Sequence, residues 1–290
     1  MSDEAATARD ADILARLERL ATFARKVLAG EVGTASGPRG RFGSGTLFAD
    51  HRRYTSGDDL RAVDWNAYAR LDELYVRVFE PEDATPIGVV VDESPSMHVG
   101  DGAKATQARL LGASFIAIGV LALAGAEIVR VPSGDETSLV GKASLVSCLR
   151  FLRRAENTGK ATLTAAVRKA AARLRRGPLV IVTDGVPLSD LDRALASRGE
   201  RPALLLHVVD PAELDPPPLG FVRLVDPETG RARRALVTRG LRRRYVSLAR
   251  ARLAEVEALA RRAGAAILRV PTTVPFDAAV LSALRRGLVR

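Results

Sequence analysis

The stretch IGVVVDESPSM, from Ile87 to Met97, decides most of what can be inferred about this chain. Its apolar, β-branched start predicts a short strand that is buried on both faces, as in a parallel sheet. Asp92 then lies at the carboxyl end of that strand, which is where open α/β sheets bind their ligands. Ser94 and Ser96 follow in a D-x-S-x-S spacing. Three oxygen-bearing side chains on one tight loop suit a hard cation such as Mg²⁺, which keeps several waters and needs few protein ligands.

The same loop also has an interpretation without a metal. Asp92 could cap the helix that follows, with the two serines solvating the turn. The loop alone leaves these two interpretations open.

Two later stretches add further oxygen-bearing side chains. Leu179 to Asp184 reads LVIVTD and predicts a second buried strand that ends in an acid. Thr162 and Thr164 open a helical run directly after Gly159. Together with the Asp92 loop, this set resembles the metal ion-dependent adhesion site of von Willebrand factor A (vWA) domains.

A second segment indicates which group of vWA-containing proteins the chain resembles. Residues 39–77 read RGRFGSGTLFADHRRYTSGDDLRAVDWNAYARLDELYVR, which is similar to the pattern of the domain of unknown function 58 family, a vWA-containing group. The matching positions are Phe48, Asp50, Arg53, Tyr54, Gly57, Asp58, Asp59, Arg61, Asp64, Trp65 and Arg70. Leu47 departs from the pattern, because the family usually has Glu before the Phe.

The resemblance implies a site and a partner. The ligands of one Mg²⁺ or Mn²⁺ would be Asp92, Ser94, Ser96, Thr162 and Asp184, with a partner carboxylate filling an open coordination position. Thr162 is chosen over Thr164 because the family places the ligand on the first Thr of T-x-T. Proteins of this family are often associated with MoxR-type AAA+ ATPases. The resemblance therefore implies a non-enzymatic protein-binding module that works with such an ATPase as a chaperone or in complex assembly.

The alternation of strands and helices predicts an α/β fold with a mostly parallel sheet and helices on both faces. With the resemblance, the architecture is vWA-like (Rossmann-like), with an N-terminal helix and a family-specific appendage. We divide the chain into an amphipathic helix and linker at 1–35, the family-specific segment at 36–84 and the vWA-like domain at 85–290. In the family-specific segment we expect Trp65 to be buried as an anchor, with Asp58, Asp59 and Asp64 paired to arginines.

Charge and composition limit the partners and the cellular compartment that we expect for this chain. The net charge is +10 over 290 residues, yet the arginines are scattered and no aromatic residues interleave them, so we expect no nucleic-acid partner. The single Cys148 excludes a disulfide framework within the chain and fits a reducing compartment. Residues 110–126 are uncharged but shorter than a usual membrane span, and we expect the opening residues, which carry acids and no continuous apolar core, not to be a signal peptide. We therefore expect a cytoplasmic protein without a membrane span.

An enzymatic alternative remains open. Asp92 could act in phosphoryl transfer, in a metal-dependent, phosphatase-like hydrolase. Ser94 weakens this interpretation, because aspartate-based phosphatases carry a second acid at that position. His207 lies in an apolar strand and is interpreted as a hydrogen-bonded core residue rather than as a ligand.

Overall fold

A computed structural model of the chain describes residues 2–28, 47–53, 63–71, 73–80, 85–147, 159–174, 177–215 and 217–287. The helices are α1 Ser2–Leu28, α2 Trp65–Leu71, α3 Ala103–Ala122, α4 Leu163–Arg173, α5 Leu188–Ser197, α6 Arg239–Arg262 and α7 Phe276–Arg285. The strands are β1 Leu47–Arg53, β2 Tyr75–Glu80, β3 Ile87–Asp92, β4 Ala126–Val131, β5 Glu136–Leu139, β6 Leu179–Thr183, β7 Ala203–Val209, β8 Gly220–Val225, β9 Ala232–Val237 and β10 Ala266–Pro271.

The main sheet has six strands in the order β10-β7-β6-β3-β4-β5. Five of them are parallel, and β5 closes one edge by pairing antiparallel with β4. Strands β3, β6 and β7 are buried along their whole length, as their continuous apolar sequences predict. The predicted mostly parallel α/β fold is confirmed.

The two faces of the sheet have separate cores, because successive side chains of a strand point to opposite faces. On one face, Val89 and Val91 pack with side chains of α1, α3 and α7. On the other face, Val90 and Ile181 pack with side chains of α4, α5 and α6. Helices therefore cover both faces, as predicted.

Helix α3 lies unusually close to the central strand β3. A Cβ atom added to Gly112 would lie 2.6 Å from Cγ2 of Val91, and one added to Gly119 would lie 2.5 Å from Cγ2 of Ile87. The 20 residues of α3, with a mean hydropathy of 1.5, are long and apolar enough to cross a membrane by length and composition. Most of this helix is buried within the α/β structure. The sequence from Ala103 to Ala126 predicts one helix, but the helix ends at Ala122 because Ala126 already belongs to β4.

Helix α1 contributes to the core of the sheet rather than standing apart from it. Leu17, Leu20, Ala21 and Ala24 are buried in the same cluster as α3 and α7. Arg16 on its partly exposed side makes two hydrogen bonds to the carboxylate of Asp277 in α7, at 2.8 and 3.1 Å. The helical spacing of apolar residues from Asp12 to Leu28 predicts a helix there, and α1 is longer because it begins at Ser2. The helix is thus bound to α7.

The family-specific segment contains a second, two-stranded antiparallel sheet formed by β1 and β2. The alternating sequence from Leu74 to Phe79 predicts an edge strand, and the structure has this strand as β2, shifted by one residue. The Asp64 carboxylate accepts a hydrogen bond from the Ala67 N–H at 3.1 Å, in the first turn of α2. Whether this segment packs on the main sheet stays a prediction, and Asp58, Asp59 and Cys148 lie outside the described residues.

The prediction that Trp65 is buried is wrong, because 57% of its surface is exposed. The orientation of α2 explains why Trp65 is exposed. Ala67 is buried, and Trp65, two positions away from it, lies on the opposite side of the helix. The Trp65 ring instead meets the partly exposed ring of Tyr68 edge-on, at 6.2 Å between centroids.

Candidate functional site

The Asp92 loop lies where the strand order of the sheet reverses. From β3 the chain adds β4 on one side, and later adds β6 on the other side of β3. Ligands of open α/β sheets bind at this crevice, outside the carboxyl ends of the strands. Asp92 ends β3 and Asp184 directly follows β6, so the fold brings these two predicted site residues to the same crevice.

Hydrogen bonds hold the buried Asp92 loop in one conformation. One carboxylate oxygen of Asp92 accepts the Ser94 N–H at 2.9 Å, and the other accepts the Thr183 hydroxyl at 2.5 Å. The Ser94 and Ser96 hydroxyl oxygens lie 3.1 Å apart. Asp92, Ser94 and Ser96 are therefore brought together, with Thr183 as a neighbour that the sequence reasoning did not single out.

The two acids of the crevice repel one another. Burial, and then the negative charge of Asp184, raise the pKa of Asp92 to about 6. Hydrogen bonds from Thr183 and Ser94 act in the opposite direction and favour the charged form. A cation between the carboxylates of Asp92 and Asp184 would offset the repulsion between them.

A lysine that the sequence analysis did not identify already supplies one positive charge. The Lys104 ammonium, in the first turn of α3, lies 2.9 Å from Oδ2 of Asp184 and 2.5 Å from Oε1 of Glu213. Only 3% of Lys104 is exposed. Burial lowers the pKa of Lys104, but Asp184 and Glu213 outweigh it and hold the pKa above its ordinary value. Lys104 is thus a charged ammonium bound on one side of Asp184.

Thr162 lies at the entrance of α4, next to the end of β4. The Ala161 N–H donates to the carbonyl of Pro132, just after β4, at 2.9 Å. The Thr162 hydroxyl accepts the Ala165 N–H at 3.1 Å and so caps the helix. The neighbouring Thr164 hydroxyl instead donates to the Asp190 carboxylate at 2.5 Å. Of the two threonines, Thr164 is hydrogen-bonded to the buried Asp190 of α5, whereas Thr162 is exposed.

Glu93 points away from the crevice and into an ion-pair cluster. Its carboxylate accepts hydrogen bonds from Arg130 in β4, at 2.9 Å from Nε, and from Arg109 in α3, at 2.5 Å. Glu93 and Arg130 are each only 1% exposed. The acid next to Asp92 in sequence therefore ties the Asp92 loop to β4 and α3, and it is not a member of the candidate site.

The tip of the β8–β9 hairpin reaches the Asp92 loop from outside the sheet. Oε1 of Glu228 accepts the Ser96 N–H at 2.8 Å. Asp226 shapes the turn, because its carboxylate accepts the Glu228 N–H at 2.9 Å and the Thr229 hydroxyl at 2.7 Å. A carboxylate of the chain thus lies beside the predicted ligand Ser96.

The chemistry of the donors fits a hard cation. Among the described residues, no three side chains of His, Cys, Asp or Glu lie together as a ligand set. The candidate set instead combines two carboxylates with hydroxyls, and Mg²⁺ accepts such oxygen ligands together with several waters. Burial lowers the pKa of the nearby His207 to about 4, so this imidazole is neutral in the folded protein.

Comparisons with known proteins identify relatives of this chain. Residues 50–255 match the family described as "Protein of unknown function DUF58". Uncharacterized proteins of Mycobacterium bovis and Mycobacterium tuberculosis are 29% identical over 245 residues, covering 79% of this chain and 76% of theirs.

One solved structure is also similar, an aerotolerance-related membrane protein from Bacteroides fragilis with multiple mutations to serines. It is 15% identical, with a TM-score of 0.42, over 68% of this chain and 95% of that one.

Proposed function

The chain belongs to the family of proteins of unknown function DUF58, and on this premise we propose that it is a non-enzymatic, vWA-like protein-binding module with a divalent metal ion. The ion, Mg²⁺ or Mn²⁺, is held by Asp92, Ser94, Ser96, Thr162 and Asp184. The observation that supports this proposal is the juxtaposition of the Asp92 carboxylate with two serine hydroxyls and with Asp184 at the reversal of the strand order.

Each proposed ligand keeps an oxygen lone pair for the metal. A hydroxyl oxygen has two lone pairs, so Thr162 can cap α4 and still bind a cation. Carboxylates have about four acceptor positions, so the hydrogen bonds to Asp92 do not exhaust it. When bound, the ion supplies a positive charge that a partner carboxylate can reach from the carboxyl edge of the sheet.

We expect Mg²⁺ to stabilise the wild-type protein against unfolding, and Asp92→Ala to lose this effect. A ligand that binds only the folded state stabilises by about 2.7 kcal/mol at a hundredfold excess over its Kd. The measurement is thermal unfolding of each protein in Mg²⁺ and in chelator. Asp12→Ala is the control, because the exposed Asp12 carboxylate belongs to α1 and pairs with Arg16, at 3.9 Å. An equal Mg²⁺-induced shift in wild type and Asp92→Ala would refute the proposed site.

The proposed partner is a MoxR-type AAA+ ATPase of the cytoplasm, and family resemblance supports this part of the proposal. We expect such an ATPase to be retained by the wild-type protein in Mg²⁺ but not in chelator, and not by Ser96→Ala. The measurement is affinity capture from the native host followed by mass spectrometry. If the ATPase were also retained in chelator and by Ser96→Ala, partner binding would not depend on the metal.

A phosphatase-like hydrolase that uses Asp92 is the second candidate, and Lys104 is the observation that favours it. A buried ammonium beside Asp184 could neutralise a phosphate group. Against it, the Ser94 hydroxyl lies where a second carboxylate would be needed. Metal-dependent turnover of p-nitrophenyl phosphate that disappears in Asp92→Asn would establish this alternative in place of the binding module.

A further inference from the structure

The β8–β9 hairpin has one face that the rest of the described chain leaves uncovered. Residues directly opposite one another in an antiparallel pair project to the same face, as do alternate residues of each strand. The register places Phe221 opposite Leu236, Arg223 opposite Arg234, and Val225 opposite Ala232. These six residues form three consecutive rows, which we call the outer hairpin face.

The outer hairpin face is apolar at both ends and basic in the middle. Phe221 is 86% exposed and Leu236 is 53% exposed, and the other four residues are exposed as well. On the opposite face, Val237 is buried and Val222 and Ala235 are partly buried, whereas the row of Leu224 and Arg233 next to the turn is exposed. The hairpin therefore rests on the part of its inner face farther from the turn and presents the whole outer face to solvent.

The central row brings two positive charges together. Like charges directly opposite one another on a sheet are destabilising, and here the pair is Arg223 and Arg234. The two acids of the hairpin, Asp226 and Glu228, lie at the turn, and their carboxylates are hydrogen-bonded there. A carboxylate from another molecule would offset the repulsion and could receive charge-assisted hydrogen bonds from both guanidinium groups.

The order of the rows favours a protein segment over an anionic membrane. If both apolar rows entered the lipid, the arginine row between them would have to follow into the hydrocarbon, where arginine is costly. An extended peptide can cover both apolar rows without placing the arginine row in an apolar environment. Its alternate side chains on one face are about 6.6–7 Å apart, the same spacing as the rows of the hairpin.

We propose that the outer hairpin face binds an extended segment of a partner protein in which alternate residues read apolar, acidic, apolar. The acid lies between Arg223 and Arg234, and the apolar residues pack on the Phe221–Leu236 and Val225–Ala232 rows. This interaction goes beyond the proposed metal-dependent function, because it needs no ion.

The test is a titration of the ¹⁵N-labelled chain of 290 residues with the peptide acetyl-Thr-Val-Thr-Glu-Thr-Val-Thr-amide, followed by NMR in the presence of chelator. The expected result is a set of amide shifts confined to residues 220–237. Making Arg223→Gln or Arg234→Gln in the protein removes one charge-assisted pair, and replacing the peptide's Glu by Gln removes both, so each change should weaken binding at least about tenfold. Arg233→Gln is the matched control, because Arg233 lies opposite Leu224 on the inner face, and it should bind as wild type does.

Three outcomes would overturn the proposal. The Gln peptide could bind as well as the Glu peptide, or the shifts could lie outside the hairpin. The third is binding to phosphatidylserine vesicles that depends on Arg223 and Arg234, without binding of the peptide, which would identify the face as a lipid surface. Because chelator is present throughout, none of these results depends on whether the Asp92 site binds a metal.

Discussion

Replacing Arg130 by Met should lower the free energy of unfolding by about 3–5 kcal/mol, the usual cost of breaking a buried ion pair. The guanidinium of Arg130 is bound to the Glu93 carboxylate, and both side chains are fully enclosed. Without the Arg130 guanidinium, Glu93 would keep only the partly exposed Arg109 as a cationic partner among its described contacts. The measurement is equilibrium unfolding in urea.

Two further variants separate the buried charge from other effects of the substitution. Arg173→Met removes a surface arginine that pairs with Glu136 and Glu127, and it should cost at most about 1 kcal/mol. The double variant Glu93→Leu/Arg130→Met should recover part of the loss, since it removes both members of the pair. A loss below 1 kcal/mol in Arg130→Met alone would contradict the importance of the cluster.

The second large effect is expected at Lys104. In chelator, Lys104→Met should cost about 3–5 kcal/mol, because Asp184 would remain buried beside Asp92 without its ammonium. Mg²⁺ should then stabilise the variant more than it stabilises the wild type, since a divalent ion in the proposed site can supply the missing charge. The measurement is thermal unfolding with and without Mg²⁺.

Lys142→Met is the matched control for Lys104→Met, because the Lys142 ammonium pairs with Glu18 on the exposed surface, at 3.2 Å. We expect a change of at most about 1 kcal/mol there. If Lys104→Met lost stability but was stabilised by Mg²⁺ only as much as the wild type, the role of Lys104 would be structural and independent of the proposed metal site.

The sequence predicted those features of the site that depend on local pattern. Ile87 to Asp92 and Leu179 to Asp184 are continuous apolar strands that end in acids, and parallel pairing places such ends at one edge. The sequence did not reveal Lys104, because its partners Asp184 and Glu213 are 80 and 109 residues away and nothing local marks the contact. Glu93 was missed for the same reason: only the fold shows that it turns toward Arg130.

Trp65 shows a different limit of sequence reasoning. A lone tryptophan among paired charges suggested an apolar anchor, but the side that a short helix buries depends on its phase against neighbouring strands. Val63 and Ala67 occupy the buried positions instead. In a seven-residue helix there are too few turns for apolar periodicity to fix that phase.

The pairing of α1 with α7 has a consequence for the order of events during synthesis. Arg16 and Asp277 are 261 residues apart, so α1 leaves the ribosome long before the helix that completes its surroundings. At about 5–20 residues per second, the interval is about 13–50 s. During that time Leu17 and Leu20 have no access to their α7 neighbours, and the nascent chain presents an incompletely covered apolar surface. The packing of α1 on this face of the sheet is therefore complete only after α7 has been made.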